Sequence, residues 1–311
     1  MKFKIADLSV INKKYIIFKN KKKKLFIKYK ILCIIAFGII LFISLLIKNS
    51  YNIINVAYAL DINYSYIIHV SMKSIMLNQN IDTFINFHIV SSNVTKEQKT
   101  IINKICLEHN NCRIFYHIIG NQFNEFQFEG LVNWSKTIFY RLLLQDILPN
   151  ENKVLYLDCD TLVYKDLNEI YNYDITDKYY TGMLEEENRN IKGYIIKYYI
   201  NSGVLLINLD NLRKDNIYTK IIEYLTMNNN TLTFPDQDTI NAVCNTKNGV
   251  FPTKYVIIAY CTMKSFDNNN IEIIKAYKDP YIIHYIIYVK PWKGITNEKS
   301  VVCYDPISKV L

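Results

Sequence analysis

The chain has 311 residues, and its 37 Lys and Arg against 28 Asp and Glu leave a formal net charge of +9. Eleven of the lysines and a single acid, Asp7, fall within residues 1–30, a local surplus of +10, so everything beyond residue 30 sums to −1. A uniformly basic nucleic-acid binder is thereby excluded, and a chain that is 50% hydrophobic and 14% aromatic is too apolar for a disordered polyelectrolyte.

At roughly 100–200 residues per domain the length allows one large α/β domain or two small ones. The lysine cluster Lys19, Lys21, Lys22, Lys23, Lys24, Lys28 and Lys30 is followed by an uncharged run at 31–47, ILCIIAFGIILFISLLI. That run reaches the lower end of the ~17–25 residues needed to cross a ~30 Å hydrocarbon core. A cleavable signal peptide is the alternative, but its apolar region is usually ~7–15 residues and ends in small residues. Lys48, Asn49, Ser50 and Tyr51 follow here instead, which favours an uncleaved anchor. Lysines ahead of the span orient that end toward the cytoplasm, placing residues 48–311 on the far side of the membrane, a Golgi or other secretory lumen in a eukaryote. The expected organisation is a basic cytoplasmic tail at 1–30, a transmembrane signal-anchor at 31–48 and a catalytic domain at 52–300.

Of seven cysteines, Cys33 lies in the apolar run and Cys106, Cys112, Cys159, Cys244, Cys261 and Cys303 lie beyond it. An even six outside the cytosol permits disulfides, with Cys106 and Cys112 the closest pair in sequence. No CxxC spacing occurs, so no zinc site is indicated. The sequons at Asn93, Asn133 and Asn229 are expected by chance in so Asn-rich a chain.

In the body, INVAYAL (54–60) reads as a buried strand and 64–78 shifts to helical spacing. FINFHIV (84–90) is a strand, 96–106 an amphipathic helix, CRIFYHI (112–118) a strand, and 135–148 a helix closed by Pro149. VLYLD (154–158) is a short apolar run ending in acid. Strands alternating with helices predict a mostly parallel sheet covered by helices. Beyond about residue 178 the pattern predicts strands at 179–184 and 203–208, helices at 211–227 and 236–244, and a loop-rich end.

The sharpest local signal is YLDCDTLV at 156–163. Asp158 and Asp160, one residue apart where an apolar strand runs out, put hard oxygen ligands at the carboxyl edge of the sheet, where open α/β folds bind ligands. Such carboxylates suit Mg²⁺ or Mn²⁺ with positions left for phosphate oxygens. One alternative is a capping pair for a helix near Asp166. Another is the aspartyl phosphatase signature, but there one residue separates the second Asp from the Thr, whereas Thr161 follows Asp160 directly.

Several segments in order resemble the family 8 glycosyltransferases, retaining enzymes of the GT-A fold that use nucleotide sugars. They are NVAYALDINY (55–64), FYRLLL (139–144), VLYLDCDTLVYKDL (154–167), YYINSGVLLINL (198–209), FPDQDTINAV (234–243) and IIHYIIYVKPW (282–292). The resemblance implies an α/β GT-A nucleotide-diphospho-sugar transferase fold, a mostly parallel sheet flanked by helices, after one N-terminal transmembrane helix. It implies a metal-dependent hexosyltransferase moving glucose or galactose from a UDP-sugar to a glycan, lipid-linked or protein acceptor, with no nucleic-acid partner.

By that resemblance Asp158, Asp160 and His284 hold Mn²⁺ or Mg²⁺, and Lys290 meets the diphosphate as a point charge. The family usually has Gly three residues after this His; Ile287 stands there. Asp61 and Asn63 read the base and ribose, and Tyr64 offers a flat face for stacking. Arg141 reaches the donor from its helix, the alternative being an ordinary helix-surface cation. Gln237 lies near the anomeric carbon, Asp236 binds sugar hydroxyls with Asp238 beside it, and Asn201 binds donor sugar or acceptor. One of Glu185, Glu186 and Glu187 would touch the sugar, or the three form a solvated charge run. Two rival readings remain: a non-catalytic, membrane-tethered nucleotide-sugar-binding protein, with Ile287 blocking the donor, and a metal-dependent phosphatase.

Overall fold

The computed structural model describes residues 7–48, 51–61, 64–120, 122–123, 126, 135–228, 231–258 and 271–286. Two units divide between Tyr51 and Asn52. The first contains one helix, α1 (Asp7–Lys48), with a stretch from Lys22 to Ile43 long and apolar enough to cross a membrane. Its large apolar side chains from Leu25 to Ile43 are all about half exposed or more.

The second unit opens with β1 (Asn52–Ala59), α2 (Ser65–Asn78), β2 (Thr83–Ser91), α3 (Lys96–Glu108) and β3 (Cys112–Ile118). Each strand is parallel to the one before it. Helix α3 begins where a capping box satisfies its first turn: the Thr95 side chain accepts from the Gln98 backbone N–H, and the Gln98 side chain accepts from the Thr95 N–H. A 3-10 helix (Lys136–Leu143) and α4 (Leu144–Ile147) then occupy the segment expected as one α-helix. Residues 139–143 are buried all round, so no polar stripe marked a helical face.

Strands β4 (Lys153–Leu157) and β5 (Thr161–Val163) flank the acidic turn, followed by α5 (Asn168–Tyr171). Strands β6 (Tyr180–Ile191) and β7 (Tyr194–Asn208) form a long antiparallel hairpin where two short strands were expected. The Glu185–Glu187 run lies within β6. Helices α6 (Leu209–Lys214) and α7 (Ile217–Met227) replace the single expected helix because Asn216 takes a left-handed conformation, φ 49°, that Asn tolerates. Helix α8 (Pro235–Cys244) starts on proline, whose missing N–H costs nothing at that position. Short strands β8 (Gly249–Val250) and β9 (Val256–Ile258), helix α9 (Ile271–Lys278) and strand β10 (Ile282–His284) complete the described residues.

The main sheet runs β3-β2-β1-β4-β7-β6-β8, parallel except that β7 is antiparallel to β4 and β6. Strand β1 is buried on both faces, as parallel sheets require. Ile54, Val56 and Tyr58 pack with Met72, Ile85, Phe87 and Ile102. Ala57 and Ala59 pack with Phe139, Leu142, Leu205 and Ile240. A second sheet, β5-β10-β9, pairs β10 antiparallel to β5 and parallel to β9.

Candidate active site

The acidic turn is fixed by hydroxyls. Thr161 Oγ1 donates to the Asp158 carbonyl at 2.9 Å, Ser71 Oγ lies 3.0 Å from Thr161, and the buried Tyr58 phenol lies 2.9 Å from Ser71. With Thr161 committed as a donor, the chain runs in one direction, Tyr58 to Ser71 to Thr161 to backbone. A buried hydroxyl left unmatched here would cost about 1–3 kcal/mol.

His284 reaches this turn from the second sheet. Strand β10 sets it opposite Thr161, and the Tyr285 N–H donates to the Asp160 carbonyl at 3.0 Å. His284 Nε2 lies 3.5 Å from Asp158 Oδ2 and 3.3 Å from Asp160 Oδ1. One ligand atom from each of the three residues falls within 4.8 Å of the others, so they form a candidate metal centre. Burial disfavours charge on His284, but the two carboxylates outweigh it and raise the imidazole to about 9. The pair thus attracts a cation, whether a proton or a metal. Two carboxylates and one imidazole are a donor set that fits Mn²⁺ or Mg²⁺.

Gly203 makes room for this arrangement. A Cβ there would lie 2.0 Å from His284 Cε1, 2.6 Å from Nε2 and 2.7 Å from Asp158 Oδ2. A glycine inside a strand marks close approach of another group, the one cue that would have exposed this residue in the sequence.

Arg141 is buried, not a surface cation. Its Nη2 donates to Asp158 Oδ1 at 2.9 Å, its Nε lies 3.2 Å from Asp236 Oδ2 and donates to the Ile138 carbonyl at 3.0 Å, and Nη1 donates to the Ser202 carbonyl. The guanidinium lies 4.6 Å from the Tyr156 ring centre, and the Tyr156 hydroxyl donates to Asp158 Oδ1 at 2.7 Å. Burial works against the charge of Arg141, yet Asp158, Tyr156 and Asp236 keep it firmly protonated. Burial also raises Asp236, with Arg141 opposing. One planar cation therefore joins the acidic turn to the first turn of α8.

In that turn, Gln237 Oε1 accepts from the Ser202 N–H at 2.9 Å, and its amide donates to Glu185 Oε2 at 3.1 Å. Asn201 donates to the same Glu185 oxygen at 3.0 Å and accepts from the Gly203 N–H at 2.9 Å. Ser202 Oγ donates to Asp236 Oδ2 at 3.0 Å. Glu185 is thus the member of its charge run whose side chain meets Asn201 and Gln237, and the shift in β6–β7 register falls where Asn201, Ser202 and Gly203 lie. Asp238 is used differently: it accepts from Tyr199 Oη at 2.6 Å and from the Thr233 and Phe234 N–H groups, bracing the entry to α8.

Asp61 lies two residues past the end of β1 and accepts from Thr137 Oγ1 at 3.5 Å. Tyr64 is half-buried at the start of α2; burial, and then the charges of Asp160, Asp61 and Asp158, push its phenol up. Both therefore flank the acidic turn. Cys159, between the two aspartates, points its thiol at the Ala59 carbonyl, and burial holds it protonated. Asn63, Ile287 and Lys290 lie outside the described residues.

Comparison with known proteins places the chain in a family. The sequence model of glycosyl transferase family 8 matches residues 55–296. A Haemophilus influenzae protein named as a glycosyltransferase is 32% identical over 208 residues, which cover 62% of this chain and 60% of that protein, so less than two thirds of its length is matched. A lipopolysaccharide 1,2-glucosyltransferase of Escherichia coli is 27% identical over 262 residues, covering 79% of this chain and 75% of the relative. Among solved structures, the galactosyltransferase LgtC with donor and acceptor sugar analogues superimposes with a TM-score of 0.67 at 22% identity, over 83% of this chain and 95% of that one. The shared α/β architecture is the GT-A-like one, and with a family match over most of the folded unit the chain belongs to glycosyl transferase family 8.

Proposed function

We propose that this glycosyltransferase is metal-dependent and retaining, and that it moves glucose or galactose from a UDP-sugar to a saccharide acceptor, glycan, lipid-linked or protein-borne. The observation that carries the reading is the Asp158, Asp160 and His284 cluster, joined through Arg141 to the turn holding Asp236 and Gln237. The named activities of the relatives, glucosyl transfer to lipopolysaccharide among them, support a hexose donor.

Asp158, Asp160 and His284 would hold Mn²⁺ or Mg²⁺. When bound, the cation supplies a Lewis acid that neutralises diphosphate oxygens as the sugar–phosphate bond stretches. Asp61 and Asn63 read the base and ribose, and Tyr64 stacks on the base. Lys290 adds a point charge to the leaving group. Asn201 and Asp236 bind sugar hydroxyls, with Glu185 holding Asn201 and Gln237 in one orientation. Gln237 presents a neutral amide at the anomeric carbon, a role in positioning same-face attack. Arg141 acts behind Asp158 and Asp236, fixing both carboxylates.

We also propose that α1 anchors the chain as a single-pass segment with its lysine-rich end in the cytoplasm. Exposed apolar side chains from Leu25 to Ile43 each gain about 1.5–3 kcal/mol on leaving water. Retention of the chain in carbonate-washed membranes checks the anchor.

The activity is tested on full-length protein with labelled UDP-glucose and UDP-galactose. Turnover with Mn²⁺, its loss with EDTA and in Asp160→Asn, and retained anomeric configuration in the product are expected. Neither turnover nor metal-dependent UDP binding across a panel of UDP-hexoses would refute the reading. Phosphate release from a monoester, indifferent to UDP, would replace it with the phosphatase.

A further inference from the structure

Far from the acidic turn, the C-terminal end of α3 and the first residue of β3 bring two thiols together. Cys106 Sγ and Cys112 Sγ are 2.8 Å apart across a five-residue connection. We propose that Cys106 and Cys112 are a redox site that closes to an intramolecular disulfide by exchange with a small-molecule or protein disulfide.

Three features make the pair reactive and selective. The sulfurs need only a small approach to reach the bond length of about 2.05 Å, so no element has to unfold. Cys106 is partly exposed whereas Cys112 is buried, which assigns the entering oxidant to Cys106. Their shared hydrogen bond draws Cys106 below the ordinary thiol value and pushes Cys112 above it, so Cys106 is the attacking thiolate. Cys159 and Cys244 are buried with raised values and have no cysteine neighbour among the described residues.

The exchange balances without another reactant. The Cys106 thiolate attacks one sulfur of the oxidant disulfide and releases its partner as a thiolate, which takes up a proton. The Cys112 thiol then loses its proton and attacks the Cys106 sulfur, breaking the mixed disulfide and releasing the second thiol. Two protein thiols are oxidised and one external disulfide is reduced. The product ties β3, one of the two edge strands of the main sheet, to α3.

Full-length protein, reduced and then treated with glutathione disulfide, is the test. Peptide mapping is expected to show a Cys106–Cys112 crosslink, about 2 Da lighter than the dithiol, with both residues protected from alkylation. Cys112→Ser is expected to stop at glutathione on Cys106, and Cys106→Ser to leave Cys112 unmodified. Neither residue affects the acidic turn, so turnover of the reduced variants should match the parent. Free alkylation of both cysteines after oxidation would overturn the proposal. So would a crosslink from Cys106 to another cysteine, or stable glutathione on Cys106 in the parent chain.

Discussion

Gly203→Ala adds one methyl group and touches no proposed ligand by name, yet it should dismantle the cluster. The new carbon would stand 2.0 Å from His284 Cε1, where carbon pairs need about 3.5–4.0 Å, a deficit of roughly 1.5 Å. The backbone cannot absorb it cheaply. The Gly203 carbonyl accepts from the Asp158 N–H at 2.7 Å, and the Gly203 N–H donates to Asn201 at 2.9 Å, so moving β7 breaks both. The imidazole must therefore swing away, and metal–ligand distances tolerate only about 0.2 Å. Mn²⁺ affinity is expected to fall at least about 10–100-fold, the range for lost support of a ligand, and turnover with it. Overpacking should also cost about 1–3 kcal/mol of stability. Titration of full-length protein with Mn²⁺ by electron paramagnetic resonance reads the affinity, and thermal unfolding reads the stability. An alanine variant that binds Mn²⁺ as the parent does, with unchanged turnover, would refute the argument that this strand glycine exists to admit His284.

Arg141→Met removes the cation between two buried or half-buried carboxylates and should destabilise the protein by about 3–5 kcal/mol, read as a lowered unfolding midpoint, with Arg141→Lys recovering only part of it. Glu185→Ala frees the Asn201 and Gln237 amides together; kcat should fall by about 10–100-fold while the half-exposed position leaves the unfolding midpoint nearly unchanged. His88 is buried against Phe115 and His117, and burial, then His117, lower it to about 4. Its folded value lies below the ordinary ~6.5, so its contribution is complete above about pH 6.5 and is lost as pH falls through about 4, at most about 3 kcal/mol. His88→Gln should flatten the pH dependence of the unfolding midpoint across that window; an unchanged slope would assign the acid sensitivity elsewhere.

Legibility followed the physics of each segment. Strands β1 and β4 announce themselves because burial on both faces demands apolar runs. The outer half of the β6–β7 hairpin does not: Glu186 and Glu187 are exposed, and backbone pairing with β7 holds them in place without an apolar alternation. The aspartates were visible at a strand end, and Asp236 and Gln237 beside a helix-starting proline. Gly203, inside a quoted segment, offered only the cue of a glycine within a strand, and Glu185 was not separable from Glu186 and Glu187 in its acidic run. One acts by lacking a side chain, and the other is distinguished from its neighbours only by which way a bulged strand turns it.

The three residues of the cluster are contributed by two sheets, with His284 supplied by the last described strand. On a growing polypeptide, Asp158 and Asp160 leave the ribosome more than a hundred residues before His284, an interval of roughly 6–25 s at ordinary translation rates. Until β10 pairs with β5, the carboxylates have no imidazole and the Gly203 niche has no occupant. A chain cut short between residues 250 and 284 contains every strand of the main sheet but lacks the third ligand. The cluster is therefore completed only after every strand of the main sheet has been made.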